Sequence, residues 1–108
     1  MSTIKLSDFQ KLDIRVGRVI EAQPIQKSDK LILLKVDIGS EVRQLVAGLR
    51  PYYKPEDLIG KEIIVLANLE PKQLMGYTSQ GMLLAAVEDG KPVILVPEKE
   101  VKVGAKIG

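Results

Sequence analysis

The side chains in this sequence that could do chemistry are cations, hydroxyl groups and amides, and their chemistry is the binding of anions. Amines and guanidinium groups neutralise phosphates and make binding depend on salt. The basic side chains that we select as candidate phosphate ligands are Lys30, Lys35, Arg43 and Lys72. Asn68 and Ser79 carry hydrogen-bonding groups for a sugar or a phosphodiester backbone, and Met82 offers an apolar surface for a sugar or a base.

Each of these residues also has a simpler interpretation within a folded protein. A lysine on a strand is usually a solvated side chain, and Met82 could equally belong to the core. Asn68 follows a predicted strand, where asparagine often bonds to the backbone of a turn. At the level of single residues, both interpretations stay open.

The basic residues are concentrated in one part of the chain. The formal net charge is only +2. Between residues 14 and 54 bases outnumber acids two to one, whereas acids outnumber bases after residue 54. This asymmetry is compatible with a positive surface on one side of the molecule, although a mixed, solvated surface is the alternative.

The composition excludes several kinds of catalytic site. Without cysteine or histidine the chain cannot build a thiolate nucleophile, a Ser-His-Asp triad or a zinc-thiolate site. It contains neither a P-loop nor a GxGxxG motif. Two-carboxylate catalysis stays formally open, but the acids are scattered and mostly lie beside bases. The sequence therefore predicts a binding protein that is not an enzyme and uses no cofactor or metal.

Length and hydropathy predict one small domain away from membranes. A chain of 108 residues is enough for one core, so we expect a single domain over residues 1–108. No apolar run has the length of a membrane span, and residues 1–11 lack the apolar centre of a signal peptide. The absence of cysteine favours the cytoplasm over secretion.

One stretch, residues 68–86, organises the prediction of the fold. It leaves an apolar strand predicted over 63–67 and enters another over 82–87. About a dozen residues connect them, and loops of that length in a compact domain are usually functional. The loop carries few charges, which favours shaped contact with a partner.

The remaining elements predict an all-β fold around this loop. Strands are expected over residues 14–22, 31–38, 42–47, 63–69, 82–87 and 93–96, with a further candidate over 101–104 and short helices at 7–12 and 55–58. Alternation places Ile32, Leu34 and Val36 in the core, and Gly17 marks a bulge or bend in the first strand. Five strands with a helical turn after the third predict an OB-fold, a Greek-key barrel, with a short N-terminal helix and extra C-terminal strands.

The residues carry a family resemblance over nearly the whole chain. The matching segments occur in a fixed order: Asp13–Val19, Asp29–Leu31, Val36–Gly39, Val46–Leu49, Asn68–Pro71, Gly76, Ser79, Gly81-Met82 and Leu84-Ala85. The sequence resembles the tRNA-binding domain of methionyl-tRNA synthetases and its free-standing relatives. Glu70 and Met75 stand where a lysine and an arginine are common in that family.

The resemblance implies a function and two alternatives for the context of the chain. It implies an OB-fold homodimer that binds tRNA by its folded shape, either as a separate β subunit or as a C-terminal domain of the synthetase, with the catalytic subunit as a further partner. A chaperone-like branch of the family lacks the Ser-x-Gly-Met segment that this chain keeps at 79–82. The resemblance therefore groups the chain with the tRNA binders. The alternative function is a chaperone-like or protein-interaction homodimer without an RNA role.

Overall fold

The computed structural model describes all residues from Met1 to Gly108 and contains two short helices and nine strands. The elements in chain order are α1 (Leu6–Phe9), β1 (Ile14–Pro24), β2 (Ile32–Asp37), β3 (Val42–Ala47), α2 (Pro55–Leu58), β4 (Glu62–Leu66), β5 (Lys72–Leu74), β6 (Tyr77–Ser79), β7 (Met82–Leu83), β8 (Ala85–Glu88) and β9 (Lys91–Ile94). No helix is both long enough and apolar enough to cross a lipid bilayer.

Five antiparallel strands form the barrel, in the order β3-β2-β1-β4-β7. The two ends of this sheet approach each other, and the backbone N–H of Gln80 donates to the carbonyl of Gln44 at 2.7 Å. Helix α2 lies between β3 and β4, as in an OB-fold. The predicted all-β barrel, with its N-terminal helix and extra C-terminal strands, is confirmed.

Both faces of the central strands are covered. Inside the barrel, Ile32, Leu34 and Val36 are at most 1% exposed, so the predicted alternation of β2 is correct. On the outer face of β1 and β4, Ile14, Val16 and Ile64 form a second cluster, against which side chains of both terminal segments pack: Phe9, Val101, Ala105 and Ile107. From Ile63 onward β4 is continuously apolar, which fits a strand whose two faces both meet protein.

Gly17 has a different role from the predicted one. The irregular register of β1 against β2 falls between Val19 and Glu21, and not at Gly17. A Cβ atom at position 17 would lie 2.6 Å from Cγ1 of Val36. The glycine is needed because β1 crosses close to β2, and the bulge allows β1 to pair with both β2 and β4.

The C-terminal part of the chain differs from the prediction in two places. The strand predicted over 82–87 is divided into β7 and β8, and the segment 101–104 is not a strand. That segment is held by single bonds, such as the one from the N–H of Gly104 to the carbonyl of Val16 at 2.8 Å. Asp89-Gly90, a dipeptide typical of tight hairpin turns, joins β8 and β9.

The long connection 68–81 contains a hairpin of its own. Strands β5 and β6 pair through Lys72–Ser79, Gln73–Thr78 and Leu74–Tyr77. Leu74 packs on a third apolar cluster, formed by Ile25, Leu33 and Val46 on the outer face of β2 and β3. The predicted loop is therefore an ordered arm folded onto the barrel wall.

Candidate nucleic-acid interface

Two of the seven predicted site residues present free cationic groups. Lys30 lies in the turn between β1 and β2, and Lys72 begins β5. Both side chains are exposed, and neither takes part in the ion pairs of the structure. Both amines are available to a phosphate.

Lys35 lies on the outer face of β2 and is half-buried. Its Nζ donates to Oε1 of Gln44 at 3.1 Å, and Nε2 of Gln44 donates to the carbonyl of Thr78 at 2.9 Å. Its register partner on β1 is Glu21. Lys35 therefore belongs to a polar row that joins the sheet to the β5–β6 arm, and a carboxylate lies beside it on the sheet.

Arg43 stands at the end of the barrel and fastens the arm. It is in phase with the inward-facing Leu45, which explains why the facing of this strand is ambiguous in the sequence. Its Nη1 donates to the carbonyls of Ala67 at 2.7 Å and Gln80 at 3.0 Å, and its Nε donates to the carboxylate of Glu41. One guanidinium group thus ties down the backbone at both ends of the β5–β6 arm.

Asn68 and Ser79 are also engaged within the chain. Oδ1 of Asn68 accepts from the N–H of Asp13 at 2.8 Å, and its Nδ2 donates to the carbonyl of Lys11 at 2.7 Å. The Ser79 hydroxyl is buried, accepts from the N–H of Val46 and donates to the carbonyl of Gly81, both at 3.0 Å. These polar side chains hold the arm at its two ends.

Met82 is 46% exposed and lies at the mouth of an apolar cleft of about 290 Å³. The cleft runs between β3 and β7 and includes Leu45, Leu49 and Pro92. A contact with a sugar or a base remains sterically open to this side chain.

The four candidate cations do not form one cluster. Lys30 follows the end of β1, Arg43 lies at the opposite end of the β2–β3 hairpin, Lys35 faces outward from β2, and Lys72 is on the arm. The sequence could not predict which of these cations are free and which are bonded, because the acceptors of Arg43 and Lys35 lie far along the chain or on another strand.

A cleft that the sequence did not predict lies between the β1–β2 turn and the tip of the arm. It has a volume of about 250 Å³ and is lined by Ile25, Gln26, Lys27, Met75 and Tyr77. The polar run 26–30 is a recognisable turn signal, but its contact with the arm follows only from the fold.

One ion pair near the barrel end has a marked electrostatic effect. Arg15 donates to both carboxylate oxygens of Asp13, at 2.8 and 2.9 Å. This hydrogen bonding lowers the pKa of Asp13 and raises the pKa of Arg15. Asp13 is therefore a fixed anion that orients a cation, because a carboxylate paired in this way resists protonation.

Comparison with known proteins connects this geometry to a family. A family model described as a putative tRNA-binding domain matches residues 14–106. The chain belongs to this family. The match covers β1 to β9 and the C-terminal segment, so the family resemblance predicted from the sequence is confirmed.

Related sequences come from methionine–tRNA ligases. The ligase of Pyrococcus horikoshii is 56% identical over 107 residues, covering 99% of this chain and 15% of that protein. The ligase of Archaeoglobus fulgidus is 56% identical over 104 residues, covering 96% of this chain and 16% of that protein. The chain thus spans less than a fifth of the length of these enzymes.

Two solved structures share the whole fold. A MetRS-related protein from Pyrococcus horikoshii superimposes with a TM-score of 0.94 at 41% identity, with all of both chains covered. The chaperone CsaA from Bacillus anthracis gives a TM-score of 0.91 at 34% identity, covering 99% of this chain and 100% of that one. A protein described as MetRS-related and a protein described as a chaperone thus share this fold.

Proposed function

We propose that this chain binds tRNA and acts as a non-catalytic, tRNA-binding part or partner of methionyl-tRNA synthetase. The observation that carries the proposal is the 56% identity to a methionine–tRNA ligase over 99% of the chain. The catalytic work of the ligase belongs, in this proposal, to the part of that protein that the chain does not span.

The distribution of free cations supports the proposal. Lys30 and Lys72 extend from the β1–β2 turn and the arm, which correspond to the loops that bind oligonucleotides in OB-folds. Amines at the ends of flexible stems suit phosphates at varied positions, and folded RNA is read mainly through its backbone and shape.

Retardation of a tRNA transcript in native gels at several salt concentrations tests the proposal. Log affinity should fall linearly with log salt, because each phosphate contact releases counterions. Absence of any complex even at low salt would refute tRNA binding.

Alanine substitutions of the two free lysines test which surface binds tRNA. Lys30→Ala and Lys72→Ala should each weaken all tRNAs alike and reduce the salt slope by about one. Lys102→Ala is the matched control, since Lys102 is also exposed but lies in the C-terminal segment, away from the β1–β2 turn and the arm. An effect confined to one tRNA species would contradict recognition by shape.

We further propose that the chain is a homodimer. The support is an apolar surplus in residues 87–96, where Val87 is 71% and Val93 is 55% exposed. Strand β4 offers no such surplus, since residues 63–65 are buried and Leu66 is half-buried within the chain. Exposed apolar area of this kind is typical of subunit contacts. Sedimentation as a monomer at micromolar concentration would contradict the dimer.

A chaperone-like function is the second candidate, and the similarity to the CsaA structure favours it. Under this alternative, the protein suppresses aggregation of an unfolded client without retarding tRNA. Measuring both activities on one preparation separates the two functions.

A further inference from the structure

The cleft beside Tyr77 has a chemical character that the other clefts lack. It is open to solvent between the β1–β2 turn and the tip of the β5–β6 arm. Its floor is Ile25, which is 5% exposed, and its walls carry Tyr77 at 39% and Met75 at 53% exposure. An aromatic ring and a thioether thus remain accessible above an apolar floor.

The charge of this cleft is positive. Lys27 is its only ionisable lining residue besides the tyrosine, and no carboxylate lines it. The polar cleft beside Arg18 has no net positive charge, because its three cations are matched by three carboxylates, Glu62, Glu98 and Glu100. A cleft near the N-terminal helix includes Phe9, but that side chain packs on the Ile14 cluster outside the barrel.

The backbone at the edges of the cleft is unusual. Lys27 has φ of 70° and Met75 has φ of 51°, a region that residues with a Cβ atom rarely adopt. Glycine or asparagine would occupy such positions more favourably. Long side chains at strained positions are often retained for function, and here the two flank the same cleft.

We propose that this cleft receives one unstacked nucleobase of the bound RNA, with the base against Tyr77 and Met75 and its phosphate on Lys27. The proposal rests on the proposed function and specifies one of its contacts. Proteins recognise unpaired RNA bases by stacking them on aromatic rings, and a nearby lysine neutralises the adjoining phosphate. A paired duplex offers no free base, so only RNA with unpaired nucleotides can fill the site.

Filter binding of an unmodified tRNA transcript and of a blunt-ended RNA duplex tests the proposal with Tyr77→Ala, Tyr77→Phe and Lys27→Ala. Tyr77→Ala should weaken tRNA binding by about ten-fold or more, because stacking one base contributes on that order. It should leave the salt slope and duplex binding unchanged. Tyr77→Phe should retain affinity, whereas Lys27→Ala should lower the slope by about one.

Tyr52→Ala serves as the control, because Tyr52 is similarly exposed (46%) but lies outside this cleft. Near-wild-type tRNA affinity of Tyr77→Ala would overturn the base-binding cleft and leave the proposed tRNA binding intact. Equal weakening of duplex and tRNA would also overturn it, since Tyr77 would then act by holding the arm.

Two other outcomes decide against the proposal. If the wild-type protein binds no tRNA, the proposed function and the cleft both fail. If Tyr77→Ala abolishes binding of an unfolded, carboxymethylated polypeptide but not of tRNA, the cleft holds a peptide side chain instead of a base.

Discussion

The side chain of Asn68 joins two segments of the fold through hydrogen bonds. Its amide oxygen and nitrogen bridge the backbone of Asp13 and Lys11, which precede β1, to the start of the arm. The neighbouring bond from the N–H of Ala67 to the carbonyl of Asp13, at 2.7 Å, lies alongside. Asn68 is nevertheless exposed and keeps a second amide hydrogen and a second lone pair, so its direct contact with RNA stays a prediction.

We expect Asn68→Ala to lower the free energy of unfolding by about 1–2 kcal/mol, because two hydrogen bonds are lost. Asn68→Asp should also be less stable than the wild type, since it keeps the acceptor for the N–H of Asp13 but places a carboxylate oxygen against the carbonyl of Lys11. Urea unfolding measures both. A variant as stable as the wild type would mean that water replaces these bonds without cost.

The Asp13–Arg15 pair predicts a dependence of stability on pH. Its hydrogen bond to Arg15 lowers the pKa of Asp13 in the folded state. The stabilisation is therefore present above the unfolded pKa, about 3.9, and is lost as the pH falls through the folded value. Asp13→Asn should cost about 0.5–1 kcal/mol at neutral pH and nothing at strongly acidic pH. A difference from wild type that is constant with pH would contradict this assignment.

Among the elements, the barrel strands follow from the sequence and the arm does not. Strands β2 and β3 are predicted by alternating or bounded apolar runs, and their ends agree within one residue. Strands β5 and β6 have three residues each, too few for a period to be visible. Their turn, Met75-Gly76, also lacks the usual Asn-Gly or Asp-Gly signal.

The candidate site was predictable only in part, because the sequence does not show which polar groups bond to each other in the fold. Residue types identify which groups can bind a phosphate, but the intramolecular acceptors decide which remain free. Arg43 finds carbonyls 24 and 37 residues away, whereas Lys72 finds none. The alternating 101–104 segment was predicted as a strand, but in the fold its Val101 packs on the cluster outside β1 and the segment joins no sheet.

At the tip of the arm, one substitution should stabilise the fold and at the same time weaken tRNA binding. Met75 and Gly76 both have positive φ, as a type I′ turn requires. Met75→Asn should raise the free energy of unfolding by about 0.5–1 kcal/mol, because asparagine tolerates this conformation better. It should also weaken tRNA binding several-fold, since it removes a wall of the cleft.

Asp89→Asn is the matched control, because Asp89 has φ of 52° in the β8–β9 turn, away from the cleft. It should leave tRNA affinity nearly unchanged. Thermal unfolding and filter binding measure the two effects. Unaltered tRNA binding by Met75→Asn would remove this side chain from the interface.

At the scale of the whole molecule, the surfaces are divided between different tasks. The outer face of β1 and β4 is covered by the terminal segments, and the outer face of β2 and β3 by the arm. Residues 87–96 keep their apolar side chains exposed. Subunit contact at 87–96 and RNA contact at Lys30, Lys72 and the Tyr77 cleft can therefore use different surfaces. The Met82 cleft is the exception, because it adjoins Pro92.

This division predicts that the dimer and RNA binding respond to different substitutions. Val93→Lys should shift the protein towards monomer, because a charge placed in an apolar contact is costly to desolvate. Val42→Lys is the control, since Val42 is 50% exposed on β3 and lies outside the 87–96 segment. Analytical ultracentrifugation measures the shift, and an unchanged dimer in Val93→Lys would place the contact elsewhere.

The packing of both terminal segments on the start of β1 has a practical consequence. Phe9 and Ile107 contact the same cluster around Ile14, whereas the Tyr77 cleft adjoins Ile25, beyond the last residue of β1. An eleven-residue strand separates the two regions. Tethers added at either terminus therefore emerge far from the cleft, so a protein immobilised on a sensor chip through its first or last residue should capture tRNA equally well in either orientation.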